Sequence, residues 1–155
     1  MFKYTGDKVG TFVNFRETNR VLDTATKDIE GQPVGIQNFN GGTNQKWRVA
    51  YLDKHTGPQK KGLNKEFGFH CDRLFYIVSE LPFNRVVEMH GNTYTYLKRW
   101  RNNATQQQFR FDCTSKTVRN NHWKNYALKI QSNGNGTYLM TDCRPHFKMV
   151  VTLQK

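Results

Sequence analysis

The sequence has no apolar run of the roughly 18 residues that a membrane-spanning helix needs. Its start, Met1 to Gly6, also lacks the apolar stretch of a secretory signal. Cysteine is scarce, and the three present (Cys71, Cys113 and Cys143) cannot all pair within one chain. We therefore predict no membrane span, reduced thiols and an intracellular location.

A secreted protein is the alternative to this location. The triplets Asn103-Ala104-Thr105 and Asn135-Gly136-Thr137 have the form of glycosylation sites. They acquire meaning only if the chain is a processed form from which a signal segment has been removed.

Motifs of common catalytic and metal sites are also missing. There is no Gly-x-Ser-x-Gly, His-Glu-x-x-His or phosphate-binding glycine loop. The five histidines are dispersed, and His70-Cys71-Asp72 has no Cys-x-x-Cys partner that would indicate zinc. We predict no catalytic residues, no metal, no cofactor and no enzymatic activity.

Acidic residues are few: 12 Asp and Glu stand against 24 Lys and Arg, a formal charge of +12. Such an excess attracts polyanions but does not identify one: nucleic acids, anionic glycans, acidic protein surfaces and anionic lipid headgroups all qualify. The alternative is that the basicity only aids solubility or reflects an organellar or assembly setting. The candidate polyanion-binding residues, interleaved with Trp100, Trp123 and Tyr126, are Lys98, Arg99, Arg101, Lys116, Arg119 and Lys124. Alternate strand residues face opposite ways, so this linear cluster need not form one surface.

What is present is a chain of 155 residues, enough for a single domain that buries about 70% of its extended surface. Short apolar runs separated by Asn, Gly and Pro predict strands and turns, and no amphipathic helix is evident. The polar stretch from Asp53 to Phe67 carries Gly57-Pro58 and four lysines, which indicates a surface loop. The predicted fold class is all-β.

An internal repeat organises this chain. Asn19 to Val49 returns in altered form as Asn84 to Phe111: both segments open with Asn-Arg-Val and close on Gln-x-aromatic-Arg. Repeats of this length usually mean one supersecondary unit stacked on itself. The closing aromatics, Trp47 and Phe109, are expected in the core.

At these residues the sequence resembles the ricin-B-type (R-type) lectins, β-trefoils whose three lobes each carry an early acid and a late Gln-x-Trp. The resemblance implies a single β-trefoil domain over residues 1–155. Its three pseudo-repeats would span about 11–52, 74–119 and 126–155, the last completed by residues 1–5. That family's usual intralobe disulfide positions are empty here.

The resemblance also implies sugar-binding residues. In lobe one these are Asp23, Gln37, Asn44 and Gln45, with Asp23 and Asn44 contacting hydroxyls and Gln45 as an internal brace. Functional members usually place Trp or Tyr where Gln37 stands. Phe39 is close in sequence, but strand alternation could turn it to the other face. A weak or eroded site for a galactose-type carbohydrate is the expectation.

Lobe two offers a second candidate site with larger departures from that pattern. Its residues are Glu88, Trp100, Gln106 and Gln107, and Arg99 stands where an aromatic platform is expected. Trp100 could substitute for the platform, although a core role is the competing interpretation.

Lobe three contains no Gln-x-Trp strand. Phe2-Lys3-Tyr4 repeats the aromatic-basic-apolar pattern of Trp47-Arg48-Val49, so we expect the N-terminus to pair with Lys148–Leu153 and bury Phe2. Truncation or a strand donated by a partner are the alternatives.

Two functions remain open at this point. The first is a non-catalytic, lectin-like carbohydrate-binding module. The second is a structural subunit that has lost sugar binding and docks through its basic surface into a protein or nucleoprotein assembly.

Overall fold

The alternation of β-branched and aromatic residues with polar ones produces strands throughout the chain. A computed structural model describes residues 8–14, 19–52, 62–90, 94–124, 126–130, 137–140 and 145–151. Lobe one consists of β1 (Lys8–Asn14), β2 (Arg20–Thr24), β3 (Val34–Asn38) and β4 (Trp47–Tyr51). An insertion follows, made of β5 (Leu63–Asn64) and β6 (Phe69–His70).

Lobe two consists of β7 (Leu74–Ser79), β8 (Val86–His90), β9 (Tyr94–Lys98) and β10 (Phe109–Asp112). Lobe three consists of β11 (Thr117–Asn120), β12 (Ala127–Ile130), β13 (Thr137–Met140) and β14 (Phe147–Val151). Two 3-10 turns, Thr43–Gln45 and Thr105–Gln107, precede β4 and β10. Within the described ranges no other helix occurs.

The strand pairing repeats from lobe to lobe. The first two strands of the lobes are joined at Val13 with Val21, at Val78 with Val86, and at Arg119 with Ala127. The second and third strands then form an antiparallel hairpin in each lobe. Strand β1 also pairs with β4 and β14, β4 with β7, and β7 with β10. This is the β-trefoil predicted from the repeat.

Lobe three differs from the sequence prediction, which assigned Thr114–Arg119 to lobe two and therefore counted one strand too few. Strand β11 instead pairs with both β10 and β12, so it opens the third lobe. Its closing strand is β14, which pairs along β1 from Gly10 to Asn14. The place expected for an N-terminal strand is thus occupied by β14, and residues 1–5 lie outside the described part of the chain.

One aromatic residue begins the last strand of every lobe and is buried in the core: Trp47, Phe109 and Phe147. Trp47 and Phe109 were predicted as core residues, and both are fully buried. The indole Nε1 of Trp47 donates a hydrogen bond to the carbonyl of Leu22 at 3.1 Å, so its polar atom is satisfied inside the core. Phe147 was missed because no Gln-x-Trp motif precedes it.

The insertion is part of the core, not only the surface loop predicted for Asp53 to Phe67. Phe67 and Phe69 are fully buried. The amide of Met149 on β14 donates to the carbonyl of Phe67 at 2.7 Å, and the amide of Asp72 donates to Phe111 on β10 at 2.9 Å. The segment around β5 and β6 therefore joins β10 to β14. Residues 53–61 lie outside the described ranges.

A disulfide joins Cys71, directly after the insertion, to Cys113, directly after β10. Their Cα atoms are 5.4 Å apart. The prediction of reduced thiols was wrong for these two residues: they are 42 positions apart in sequence, and only the folded insertion brings them together. Cys143 lies outside the described residues.

Candidate carbohydrate site

Three of the four residues predicted for lobe one meet through side-chain hydrogen bonds. Asp23 lies on β2, and Asn44 and Gln45 lie on the 3-10 turn before β4. Gln45 Nε2 donates to Asp23 Oδ2 at 2.8 Å, and Asn44 Nδ2 donates to the same oxygen at 3.1 Å. These bonds fix the direction in which the carboxylate points.

Gln45 is fully buried and holds the chain around the site. Its Nε2 also donates to the carbonyl of Asn38 at 2.9 Å, and its Oε1 accepts from the amide of Asn40 at 2.8 Å. The Asn44 amide in turn donates to the carbonyl of Thr24 at 2.9 Å. Both amides therefore brace the backbone on either side of the carboxylate.

The second oxygen of Asp23, Oδ1, has no hydrogen-bond partner within the part of the chain that is described. Asp23 lines an open cleft of about 250 Å³, whose walls come from β2, β3 and the segment between them. Burial raises the pKa of the Asp23 carboxyl above its ordinary value, while the hydrogen bond from Gln45 opposes that rise. The cleft thus contains one oriented carboxylate oxygen that is available as an acceptor.

Gln37 and Phe39 lie on the same side of β3 and its extension. Gln37 is exposed, lines the cleft and is paired with Val21. The amide of Phe39 donates to the carbonyl of Asn19 at 2.7 Å, which continues the β2–β3 ladder in register beyond Asn38. Residues two apart on a strand share a face, so Phe39 lies on the face of Gln37.

The Phe39 ring is 57% exposed, although most residues of this size in the chain are buried. A Cβ atom at Gly41, whose φ is +75°, would lie 3.8 Å from its Cζ. Sequence reasoning left the direction of this ring open, because it did not fix how far the β2–β3 ladder extends. The signal that could have predicted the direction of the Phe39 ring is its position two residues after Gln37, because residues two apart on a strand share a face.

Lobe two reproduces the same hydrogen-bond network around Glu88. Gln107 Nε2 donates to Glu88 Oε1 at 2.8 Å and to the carbonyl of Arg99 at 2.9 Å. Gln107 Oε1 accepts from the amide of Arg101 at 3.0 Å. These three contacts, to the acid, to a backbone carbonyl and from a backbone amide, correspond to those that Gln45 makes in lobe one. Glu88 and Gln107, two of the four residues predicted for this site, are therefore brought together.

The carboxylate of lobe two is paired with a cation, whereas amides hold that of lobe one. Arg101 Nη2 lies 2.6 Å from Glu88 Oε1, and the Glu88 side chain is only 6% exposed. Gln106 makes no hydrogen bond to Glu88: its backbone carbonyl accepts from Asn120 at 3.0 Å. Trp100 is half-buried, with its ring 6.2 Å from Tyr76 in an edge contact.

A strap from lobe one, residues 28–33, lies against the lobe-two site. The amide of Gly31 donates to the carbonyl of Leu97 at 2.7 Å, and the amide of Leu97 donates to Gln32 at 2.8 Å. The Glu30 carboxylate accepts from the amide of Arg99 at 2.9 Å and pairs with Arg85 at 3.0 Å. Burial would raise the Glu30 pKa, but these contacts hold it below its ordinary value.

The six basic residues proposed as a polyanion site fall into groups. Lys98, Arg99 and Arg101 line one cleft with Glu30 and Glu88. Elsewhere, Lys116 Nζ donates to the carbonyl of Cys113 at 2.7 Å, and Arg119 Nε lies 3.5 Å from Asp112. Lys124 is exposed and follows β11 in the connection to β12.

Lobe three has no acid at the corresponding position. The three lobes are aligned by the pairings Val13–Val21, Val78–Val86 and Arg119–Ala127. Two residues after the second member of each pair stand, in order, Asp23, Glu88 and Lys129. Pro145 stands two residues before Phe147, at the position that Gln45 has before Trp47 and Gln107 has before Phe109. The acid and amide of the other two lobes are thus both replaced.

Across the described residues, no group of three or more His, Cys, Asp and Glu side chains is arranged to hold a metal ion. Those residues also contain no helix of the length and hydropathy that a membrane crossing requires.

Solved structures share this fold. The designed threefold-symmetric protein ThreeFoil matches with a TM-score of 0.68 and 16% identity, over 94% of this chain and 99% of its own. The β-trefoil lectin of the Vibrio vulnificus hemolysin/cytolysin, solved with N-acetyl-D-lactosamine, matches with a TM-score of 0.68 and 14% identity over 97% and 99%.

The C-half of an earthworm R-type lectin, solved with GalNAc, matches with a TM-score of 0.62 and 12% identity over 94% and 99%. No protein-family model matches the sequence, and no curated protein is significantly similar to it. At these identities the likeness concerns the fold: the chain is a β-trefoil of the kind found in R-type lectins.

Proposed function

We propose that the protein is a non-catalytic carbohydrate-binding module whose site is the lobe-one cleft. The observation that supports this most directly is the Asp23 carboxylate on the cleft wall. Amides hold one of its oxygens, and the other has no hydrogen-bond partner among the residues that the structure describes. An ionised carboxylate oriented in this way is a strong acceptor for sugar hydroxyls. The two lectin neighbours were solved with N-acetyl-D-lactosamine and GalNAc, which supports a galactose-type ligand.

Phe39 is the proposed stacking platform. The sequence places Gln37 at the position where a platform is expected and leaves open which way Phe39 points. The β2–β3 ladder instead puts an exposed aromatic ring on the same face, two residues further along. Aromatic rings supply apolar contact area to the C–H face of a sugar, which a shallow cleft otherwise lacks. Gln37 would contribute an amide at the rim.

Titration with galactose and N-acetylgalactosamine, followed by NMR, tests this proposal. We expect shifts at Asp23, Gln37 and Asn44, complete loss of binding in Asp23→Ala, and roughly tenfold weaker binding in Phe39→Ala. Phe83→Ala is the matched control, because Phe83 is an aromatic residue of similar exposure (59%) outside the cleft. Its affinity should remain that of the unmodified protein.

Silence across a broad glycan array at millimolar ligand would refute the lectin function and favour the structural-subunit alternative. The location of the protein is also a proposal. Of the two locations considered from the sequence, intracellular and secreted, the Cys71–Cys113 disulfide supports the second, in which the protein reaches an oxidising compartment. Thiol counting with and without reductant, on protein from its native source, tests that location.

A further inference from the structure

The lobe-two cleft has about the same size as the lobe-one cleft, about 260 Å³, but a different charge. Three cations and two carboxylates line it: Lys98, Arg99, Arg101, Glu30 and Glu88. The cleft is therefore a separate site from the one proposed for neutral sugar.

Both carboxylates in this cleft already have partners. Glu88 pairs with Arg101, and Glu30 pairs with Arg85 while accepting the backbone amide of Arg99. On Asp23, the oxygen that accepts from Gln45 also accepts from the uncharged amide of Asn44. On Glu88, the oxygen that accepts from Gln107 also accepts from Arg101, so a cation stands beside this acid where lobe one has an amide.

Two cationic groups in the cleft, the ammonium of Lys98 and the guanidinium of Arg99, form no salt bridge within 4.0 Å with any residue that the structure describes. Lys98 acts on Glu30 at longer range and helps to lower the pKa of that carboxyl. Arg99 is exposed, and the Lys98 Nζ atom stands 3.9 Å from where a Cβ of Gly31 would be. The cleft thus offers hydrogen-bond donors with positive charge, and a complementary ligand must bring a negatively charged acceptor.

We propose that this cleft binds the sulfate or carboxylate group of an acidic glycan through Lys98 and Arg99. Both groups are oxyanions, and both fit the planar fork of Arg99.

The surroundings of the cleft favour a glycan over a nucleic acid. Glu30 and Glu88 flank the cations and would repel a continuous phosphate backbone, whereas a single charged group can sit between them. Trp100, the aromatic residue between Arg99 and Arg101, packs against Tyr76. The two rings are nearly perpendicular, at 78°, and Trp100 is half-buried, which limits the ring area on which a base could stack. Lys116 and Arg119 are engaged on the β10–β11 hairpin and do not extend the cationic surface.

Calorimetry with the whole protein tests this proposal. The probes are a sulfated chondroitin oligosaccharide, its desulfated form, sialyllactose, lactose, inorganic sulfate and a single-stranded oligonucleotide. We expect the sulfated or the sialylated glycan to bind more tightly than its uncharged counterpart, and the binding to weaken with added salt. Which of the two binds identifies the source of the oxyanion.

The double variant Lys98→Gln, Arg99→Gln should lose at least about tenfold in affinity for the acidic glycan. Lys124→Gln is the matched control: it removes one exposed cation outside the cleft and should bind within about twofold of the unmodified protein. Asp23→Asn should abolish the binding of lactose at lobe one but retain the salt-dependent part of acidic-glycan binding, so failure of the lobe-one site and failure of this one are separately visible. Melting temperatures verify that each variant is folded.

Three results would overturn the proposal. One is equal affinity of the double variant and the unmodified protein for acidic glycans. Another is binding of inorganic sulfate without binding of any acidic glycan. The third is an oligonucleotide that binds more tightly than the glycans and loses that affinity in the double variant, because the cleft would then be a nucleic-acid site.

Discussion

Replacing Phe69 with alanine tests whether the insertion is a structural part of the barrel. Its ring centroid lies 5.4 Å from that of Phe12 on β1, 5.5 Å from Phe75 on β7 and 5.1 Å from Phe111 on β10. The side chain is fully buried, so no solvent-facing rearrangement can compensate for its loss. Truncation of a buried phenylalanine typically costs 3–5 kcal/mol, from lost apolar transfer energy and from the cavity left behind.

That cost is a large share of the roughly 5–15 kcal/mol by which domains of this kind are stable. Urea unfolding followed by tryptophan fluorescence measures it. Leu63→Ala is the control on the same insertion: Leu63 is 36% exposed, and surface changes usually stay within about 0.5 kcal/mol. Equal stabilities for the two variants would refute the assignment of the insertion to the core.

Three other changes have definite expected outcomes. A Cys71→Ser, Cys113→Ser variant should lose about 4 kcal/mol of stability by urea titration, because the disulfide closes a loop over a separation of 42 residues; an unchanged midpoint would contradict this. Sugar affinity should fall on acidification, because the ligand binds the ionised form of Asp23. The pKa of the Asp23 carboxyl is raised, so the fall should begin at a higher pH than for an ordinary aspartate. An affinity that does not change with pH would exclude Asp23 as the acceptor. Arg101→Ala should lower the free energy of unfolding by about 1–3 kcal/mol, because it leaves the buried Glu88 without its cation. Adding Glu88→Gln should recover part of this loss. A double variant less stable than Arg101→Ala alone would rule out the ion pair as the cause.

The sign of the Asp23 effect on folding is opposite to that of an ion-paired acid. A carboxyl whose pKa is raised by folding binds more protons in the native state than in the unfolded state. Its contribution to stability is therefore greatest at low pH and declines as pH rises through the raised pKa. Asp112, whose pKa is lowered by hydrogen bonds from Thr114 and Ser115 and by Arg110 despite its burial, contributes in the other direction. Its contribution is lost as pH falls through the lowered pKa.

The fold was predictable because its signal is repeated and local. The Asn-Arg-Val segments became β2 and β8, and the Gln-x-aromatic segments placed Gln45 and Gln107 in matching 3-10 turns. The closing strand of lobe three could not be predicted in this way, because Pro145 and His146 precede Phe147 and the Gln-x-aromatic motif is missing. Only the pairing of β14 with β1 identifies it as the closing strand.

The contacts that the sequence did not predict are those between distant or weakly patterned segments. Phe67 and Phe69 sit beside a polar, lysine-containing stretch, so their burial had no periodic signature. The strap from residue 28 to residue 33 reaches Leu97 through backbone hydrogen bonds, which do not depend on residue type. The pairing of Arg101 with Glu88 likewise depends on how the third strand of the lobe ends.

The ladder between β1 and β14 has a consequence for the order of events during synthesis. Gly10 pairs with Val151, so β1 is synthesised long before the strand that completes its pairing. Until then β1 can pair with β2 and β4, but one edge of it remains open to other chains. Contacts of such long sequence separation also slow folding. The nascent chain must therefore keep this edge of β1 from pairing with other chains until β14 has been synthesised.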